Sequence, residues 1–295
     1  MSDENPPRSR WSDLERPPLN ATALRRALLG SDSLYTHLEV VGSVGSTNSE
    51  LADRARRGAA QPGTVLVAEE QTAGRGRLDR GWSAPPRSGL FFSVLLAPEV
   101  PAERLGWLPL LAGVATAGAL SRTAGVDTAL KWPNDILVTV GGDERKCVGI
   151  LAERVGEGPQ GRPREGALVL GIGINVTLRE AELPVPTAGS LQLAGAQGTD
   201  RDPLLRAVLR SLEDWYGRWT AVDGSAGESD LQEAYAAGCA TLGRHVRAEL
   251  PGDRALLGEA VALDGQGRLV IATGEGVQHP VAAGDIVHLR PAGGA

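Results

Sequence analysis

Apolar and polar positions along this chain fall into two regimes. From Leu38 to about Val222, short apolar runs alternate with longer stretches of helical period. Strands are predicted at Leu38–Val41, Thr64–Glu69, Leu90–Leu96, Ile136–Val140, Lys146–Glu153 and Ala167–Val176, each bounded by Gly, Pro or charged residues. Helices are predicted at Thr47–Arg57, Leu105–Arg122 and Pro203–Val222. In the last, Leu204, Leu205, Val208, Leu209, Leu212, Trp215, Tyr216 and Trp219 fall on one face, and Asp202-Pro203 starts the run. Asn20 stands where it can cap a short helix through Leu29. Gly141-Gly142-Asp143 carries the signal of a hairpin turn. Hairpins mixed with helices predict an α+β fold with a mixed sheet flanked by helices, not a doubly wound parallel one.

Beyond about Gly238 the pattern changes. Short strand-like pieces (His245–Glu249, Ala255–Leu263, Leu269–Thr273, Ile286–Arg290) alternate with Gly/Asp turns and predict a small antiparallel barrel. The expected division is a polar, Pro-rich and disordered lead-in over 1–19, a main domain over 20–237 and the barrel over 238–295.

Composition narrows the function classes. At 42% hydrophobic, 295 residues can bury a sizeable core. A net charge of −6 argues against a dedicated nucleic-acid coat protein. Cys147 and Cys239 make neither a disulfide framework nor a zinc site, which fits the cytoplasm. The longest apolar run, Leu108 to Leu120, falls short of the ~20 residues a membrane span needs, and the N-terminus has no apolar signal region. A soluble cytoplasmic protein with no membrane partner is expected. Only Lys131 and Lys146 are lysines; the other 28 of the 30 basic residues are arginine. A lysine kept against that bias suits a place where a compact ammonium is needed and a guanidinium fork would not fit.

Five segments carry candidate chemistry. In Gly74-Arg75-Gly76-Arg77-Leu78-Asp79-Arg80-Gly81-Trp82, glycines permit close approach of backbone to a ligand and guanidinium forks match phosphate or carboxylate oxygens. Trp82 can stack on a flat ring. The spacing is neither a dinucleotide fingerprint nor a Walker loop, and a solvated basic loop or an RNA contact would read the same way. Lys131-Trp132-Pro133-Asn134-Asp135 offers a cation for phosphate and oxygens for a hard cation, beside the plainer reading of an Asn-Asp turn. Lys146 opens a strand in which alternation sends Lys146, Val148 and Ile150 to one face and Cys147, as a small hydrophobe, to the other. Asn175 is the single polar residue of Leu170–Val176 and, if buried, needs a partner from backbone, ligand or metal-bound water. Thr47 and Glu50 have capping-box spacing, and a helix start there can also receive a polar ligand head.

Taken in order, Ser-Thr-Asn at 46–48, Gln71 with Gly-Arg-Gly-Arg-x-x-Arg-x-Trp, Lys-Trp-Pro-Asn-Asp, Lys-x-x-Gly-Ile-Leu and Gly-x-Gly-Ile-Asn resemble the biotin protein ligases, over roughly residues 38 to 290. The resemblance implies a catalytic domain related to class II aminoacyl-tRNA synthetases and lipoate ligases, followed by an SH3-like barrel. It implies that biotin and MgATP form biotinyl-5′-adenylate, and that a lysine of a biotin carboxyl carrier domain of acyl-CoA carboxylases then takes the acyl group. Ser46, Thr47, Asn48 and Gln71 would hold the biotin head. Gly74, Arg75, Gly76 and Arg77 would close over biotin and adenylate, with Trp82 on the nucleotide side and Gly149 beside the ligand. Lys146 would bridge the biotin carboxylate and the α-phosphate. Arg77, Arg80, Lys131, Asn134 and Asn175 would contact ATP, the two asparagines also magnesium, directly or through water. Asp135 would accept the proton of the incoming amine. Lys146, Asp135 and Arg77 are thus the expected catalytic set.

Two departures stand out: Leu78-Asp79 interrupts the basic loop, and the DNA-binding domain of bifunctional members has no counterpart in this sequence, so no repressor function is expected. The competing assignments are a lipoate or octanoate ligase on the same fold, an RNA-binding protein, and a non-catalytic biotin binder.

Overall fold

The computed structural model describes residues 16–78, 80–156, 166–250, 254–274, 276–282 and 285–288. Its frame is a seven-stranded sheet. In chain order the strands are β1 (His37–Val41), β2 (Thr64–Ala68), β5 (Gly89–Leu96), β6 (Thr128–Lys131), β7 (Asp135–Val140), β8 (Asp143–Arg154) and β9 (Leu168–Asn175), and in space they run β1-β2-β5-β9-β8-β7-β6. β1 and β2 are parallel and every other pair is antiparallel. The six strands predicted over this stretch all form. β6 was not predicted: four residues ending in Lys131 carry too little alternation to be seen without a partner.

Helices cover both faces. On one lie α1 (Ala21–Leu28), α3 (Leu108–Ala124), α4 (Arg201–Thr220) and α5 (Leu231–Gly238), packed with the large core built around Trp107, Leu111, Phe92, Ile150 and Leu209. On the other lies α2 (Thr47–Arg56), whose Leu51 and Ala55 pack on Leu66, Leu95 and Val169. Asn20 caps α1 as expected, its Oδ1 accepting from Ala23 N–H at 3.0 Å. The predicted Leu105–Arg122 helix starts later, at Leu108 with Pro109 in its first turn, after a 3₁₀ turn over Ala102–Trp107; Gly125 ends it at φ +67°, on the left-handed side that glycine adopts without strain.

The predicted lead-in lies outside the described residues up to 15; its last four residues are ordered. Arg16 is buried against Thr177 and Glu182, and the Leu19 N–H donates to Glu69 at 2.7 Å.

Five C-terminal strands, β10 (His245–Leu250), β11 (Arg254–Leu263), β12 (Leu269–Ala272), β13 (Gln278–Val281) and β14 (Asp285–His288), form an antiparallel sheet in the order β13-β12-β11-β10-β14. The expected barrel is therefore corrected to an open sheet among the described residues, because β13 and β14 end at opposite edges and do not pair. Residues 289–290 of the predicted last strand lie outside the described residues. Trp107 and Trp132 donate their indole N–H groups to Gly265 O and Gly267 O, both at 3.0 Å, and so tie this sheet to the main body. No helix among the described residues is long and apolar enough to cross a membrane.

Candidate active site

A cavity of about 1990 Å³ opens over β8 and β9 and reaches the edge of the C-terminal sheet. Of the predicted site residues, Ser46, Thr47, Asn48, Gln71, Arg75, Gly76, Arg77, Arg80, Trp82, Lys131, Asn134, Asp135, Lys146, Gly149 and Asn175 line it. Gly74 does not; it sits just behind, where a Cβ would strike the Trp82 carbonyl.

The first pole is the start of α2. Ser46, in an extended conformation, is the N-cap. This corrects the capping-box reading of Thr47 and Glu50: Thr47 is already helical, and Glu50 accepts from Arg54 Nε at 2.6 Å one turn on. Thr47 instead gives its N–H (2.8 Å) and hydroxyl (3.1 Å) to Gln71 Oε1. Asn48 is buried and used up by protein: Nδ2 donates to Leu151 O (3.1 Å) and Glu153 Oε2 (3.0 Å), and Oδ1 lies 2.6 Å from Ser93 Oγ. It shapes this pole rather than presenting a free group to it.

The Gly/Arg segment, read from sequence as a loop, is a two-stranded hairpin of β3 (Gly74–Arg75) and β4 (Gly81–Trp82). Gly76 N–H donates to Arg80 O at 2.7 Å to close its turn, and Leu78 at the tip has φ +54° with its side chain mostly in solvent. Asp79 lies outside the described residues. Arg75 is tethered to Glu153 at 3.0 Å. The hairpin lays Trp82 on a floor of glycines: a Cβ on Gly149 would stand 2.6 Å from Trp82 Cζ3, and one on Gly173 2.9 Å from Cε2.

Beside that indole stands the central ion pair. Lys146 Nζ is 2.6 Å from an Asp135 carboxylate oxygen and 5.6 Å from the Trp82 ring centroid. Simple alternation would have put Lys146 with Val148 and Ile150, which are core residues. A bulge corrects this. Ile136 pairs with Val148 but Leu137 pairs with Lys146, so Cys147 is one residue extra and the parity of β8 changes there. Lys146 thereby shares the cavity face with Gly149. Cys147 is buried, as expected of a small hydrophobe; its thiol donates to Asn175 O at 3.3 Å, and burial pushes it up to about 12.

The second pole is polar. Arg77 Nη1 donates to Asn134 Oδ1 at 3.3 Å, and Asn134 Nδ2 to Ile150 O at 2.8 Å. Asn175 Nδ2 donates to Gly189 O at 2.9 Å, while its Oδ1 is buried with no hydrogen-bond partner among the described residues. Lys131 borders the same space, and so do Glu144, Arg145, Arg244 and His288, which sequence reading did not single out. Glu153 was missed too. No motif marks these residues, since four of the five come from the C-terminal sheet's edge or the β7–β8 hairpin end and meet the site only through folding. The Trp132–Pro133 peptide is cis, and Trp132 is buried. Among the described residues no cluster of three or more His, Cys, Asp or Glu could hold a metal.

Residues 40–175 match the biotin/lipoate A/B protein ligase family and residues 241–289 the biotin protein ligase C-terminal domain. The chain is 40% identical to a biotin–[acetyl-CoA-carboxylase] ligase of Mycobacterium tuberculosis, over 94% of this chain and 98% of that one. It is 33% identical to the bifunctional ligase/repressor BirA of Bacillus subtilis, over 86% of this chain and 74% of the relative. Among solved structures, the Aquifex aeolicus biotin protein ligase in complex with biotin and ATP superposes with a TM-score of 0.69 at 29% identity, over 87% of this chain and all of that one. The Leishmania major enzyme in complex with biotinyl-5-AMP gives 0.55 at 25%, over 84% and 99%. Likeness over nearly the full length, with both sheets included, makes this chain a member of the biotin protein ligase family.

Proposed function

We propose that this protein activates biotin with ATP as biotinyl-5′-AMP, releasing pyrophosphate, and then transfers the biotinyl group to a lysine of a biotin carboxyl carrier domain of an acyl-CoA carboxylase. The observation that carries the reading is the Lys146–Asp135 pair at 2.6 Å, set on a glycine floor under Trp82 between an amide-lined pole and an Arg/Asn/Lys-lined one. A carboxylic acid bound between the poles brings its carboxylate to Lys146, and the α-phosphate of ATP arrives from the other side.

In the first step a biotin carboxylate oxygen attacks the α-phosphorus and the bond to pyrophosphate breaks. Negative charge spreads over two anionic groups, so a compact ammonium and fixed guanidinium groups lower the barrier most where they touch both. Lys146 takes that place, with Arg77 and Arg80 toward the phosphates and Lys131 at the far end. As Lys146 turns to the adenylate it frees Asp135, which accepts the proton of the acceptor amine as that amine attacks the acyl carbon and AMP leaves. Ser46, Thr47 and Gln71 hold the biotin head, and Arg75 with Gly76 covers it. Magnesium fits as an ion carried in on the ATP phosphates: the unpartnered Oδ1 of Asn175 and the amide oxygen of Asn134 are hard donors, and a phosphate-bound ion needs few from protein. The setting is cytoplasmic, in keeping with two unpaired thiols. No operator binding is included, and the net charge of −6 accords with that; a gel shift with duplex DNA checks it.

The deciding assay is pyrophosphate release with MgATP and biotin, lipoate or octanoate in the absence of acceptor. A burst of about one equivalent with biotin alone supports the reading. A burst with lipoate or octanoate only would assign the protein to acids of the sister ligases, and an active Lys146→Ala or Asp135→Ala variant would remove that residue from its role.

A further inference from the structure

We propose that His288, on β14 of the C-terminal sheet, is a positioning residue for the ATP pole: through Thr241 it fixes the Lys131–Asn134 turn that carries two ATP-side groups. The inference rests on the adenylation reading and extends it to a residue outside the family motifs.

His288 is half-buried between two partners. Its Nε2 is 3.0 Å from Thr241 Oγ1 and its Nδ1 is 3.2 Å from Arg244 Nη1. A guanidinium only donates, so Nδ1 must accept, and the ring is the neutral tautomer whose Nε2–H donates to Thr241. Arg244 is itself clamped by the Glu144 carboxylate, with two bonds of 2.6 and 2.7 Å. Thr241 is fully buried, and the same Oγ1 accepts the backbone N–H of Trp132 at 3.1 Å. A continuous chain thus runs Glu144–Arg244–His288–Thr241–Trp132, from the β8 end of the β7–β8 hairpin through the C-terminal sheet to the turn.

The chain ends where it matters for the site. The Trp132 N–H lies just past the last residue of β6, where it meets Thr241 Oγ1 and, beside it, the Cys239 thiol. Lys131 precedes it and Asn134 follows by two residues, and both line the cavity. Pinning one amide between them fixes where the ammonium and the amide oxygen stand. The biotin pole shares none of these bonds: Thr47, Asn48 and Gln71 are held by one another, Ser93 and the far end of β8. The ring's surroundings agree with a neutral imidazole, since burial and the Lys131 and Arg244 charges outweigh Glu144 and hold it down at about 4.

The test uses the full-length protein. Initial rates of pyrophosphate release are measured with ATP varied at saturating biotin, then with biotin varied at saturating ATP. His288→Ala should raise KM for ATP about tenfold while KM for biotin stays within about twofold. His288→Gln should return KM for ATP to within about threefold of wild type, because a glutamine amide can both donate to Thr241 and accept from Arg244. Thr241→Val keeps the shape and loses the hydroxyl, so it should repeat the alanine defect, and it serves if His288→Ala does not fold. Calorimetric ATP affinity on the same proteins should weaken by the same factor. Unchanged ATP affinity in folded His288→Ala and Thr241→Val would overturn the proposal. So would equal losses for ATP and biotin, or a failure of glutamine to rescue. Absence of pyrophosphate release in the wild type would instead sink the adenylation reading, and calorimetry would still decide the role of His288.

Discussion

A methyl group at Gly149 would occupy the volume that Trp82 fills, 2.6 Å from Cζ3, and would also press on Lys146 Cε at 3.3 Å. Side chains in a close-packed site yield little to such overlap. Gly149→Ala should therefore lift the indole and shift the ammonium, cutting pyrophosphate release by more than about tenfold while Tm changes by only about 3 °C. Comparing the rate with tryptophan emission and Tm checks it; a displaced indole with full activity would detach Trp82 from the chemistry. His288 gives a pH prediction. Folding lowers its imidazole from 6.5 to about 4, chiefly by burial and then by the Lys131 and Arg244 charges, with Glu144 opposing. Between those values the unfolded chain binds a proton that the folded chain does not, so stability falls as pH drops through the window. Tm should lose more between pH 7 and pH 5 in the wild type than in His288→Gln, and equal losses would contradict the assignment. At this scale the residue pattern alone marked Lys146 and Asn175, because lysine is rare here and a lone polar residue in an apolar strand stands out, whereas Asp135 was singled out as a proton acceptor only through the family resemblance. The pattern could not place Lys146 on the right face, since the bulge at Cys147 depends on how β8 pairs with β7.

Among the elements, α4 is fastened by more than its apolar face. Arg201 in its first turn pairs with Glu69 at 2.7 Å and donates to Gly89 O at 3.2 Å, both buried, and it also donates to the half-buried Pro17 O at 2.5 Å. Truncating it leaves a buried carboxylate with, among the described residues, only the Leu19 N–H for company. Arg201→Ala should cost about 3–5 kcal/mol, read from the urea midpoint, and adding Glu69→Gln should recover part of it by removing the orphaned charge. A cost under about 1 kcal/mol would mean that water replaces the guanidinium. Helices were the most legible elements because their apolar period is local; α1, α2 and α4 stand within two residues of their predicted starts. β3, β4, β6 and β13 were not legible. Each has two to four residues and exists only because a partner strand supplies its hydrogen bonds.

For the molecule as a whole, one buried cluster runs from the main body into the C-terminal sheet, joining Trp107 and Trp132 to Val246, Leu269 and Ile271. The two sheets should therefore unfold together. Tryptophan emission and far-ultraviolet circular dichroism are expected to give one coincident thermal transition, and two separated transitions would show that the C-terminal sheet is only loosely attached. The sequence by itself determined the α+β class, the change of pattern near Gly238, and the order of the Ser-Thr-Asn, Gly-Arg, Lys-Trp-Pro-Asn-Asp and Gly-Ile-Asn segments. Those features are written in local period, composition and residue type. Tertiary structure alone decided that these segments face one cavity, that β8 changes parity before Gly149, that the C-terminal strands form an open sheet among the described residues, and that Glu144, Arg244 and His288 border the cavity's second, polar pole. Each depends on contacts between residues far apart in sequence, and the energies that fix them arise only when distant backbones pair and water leaves the space between.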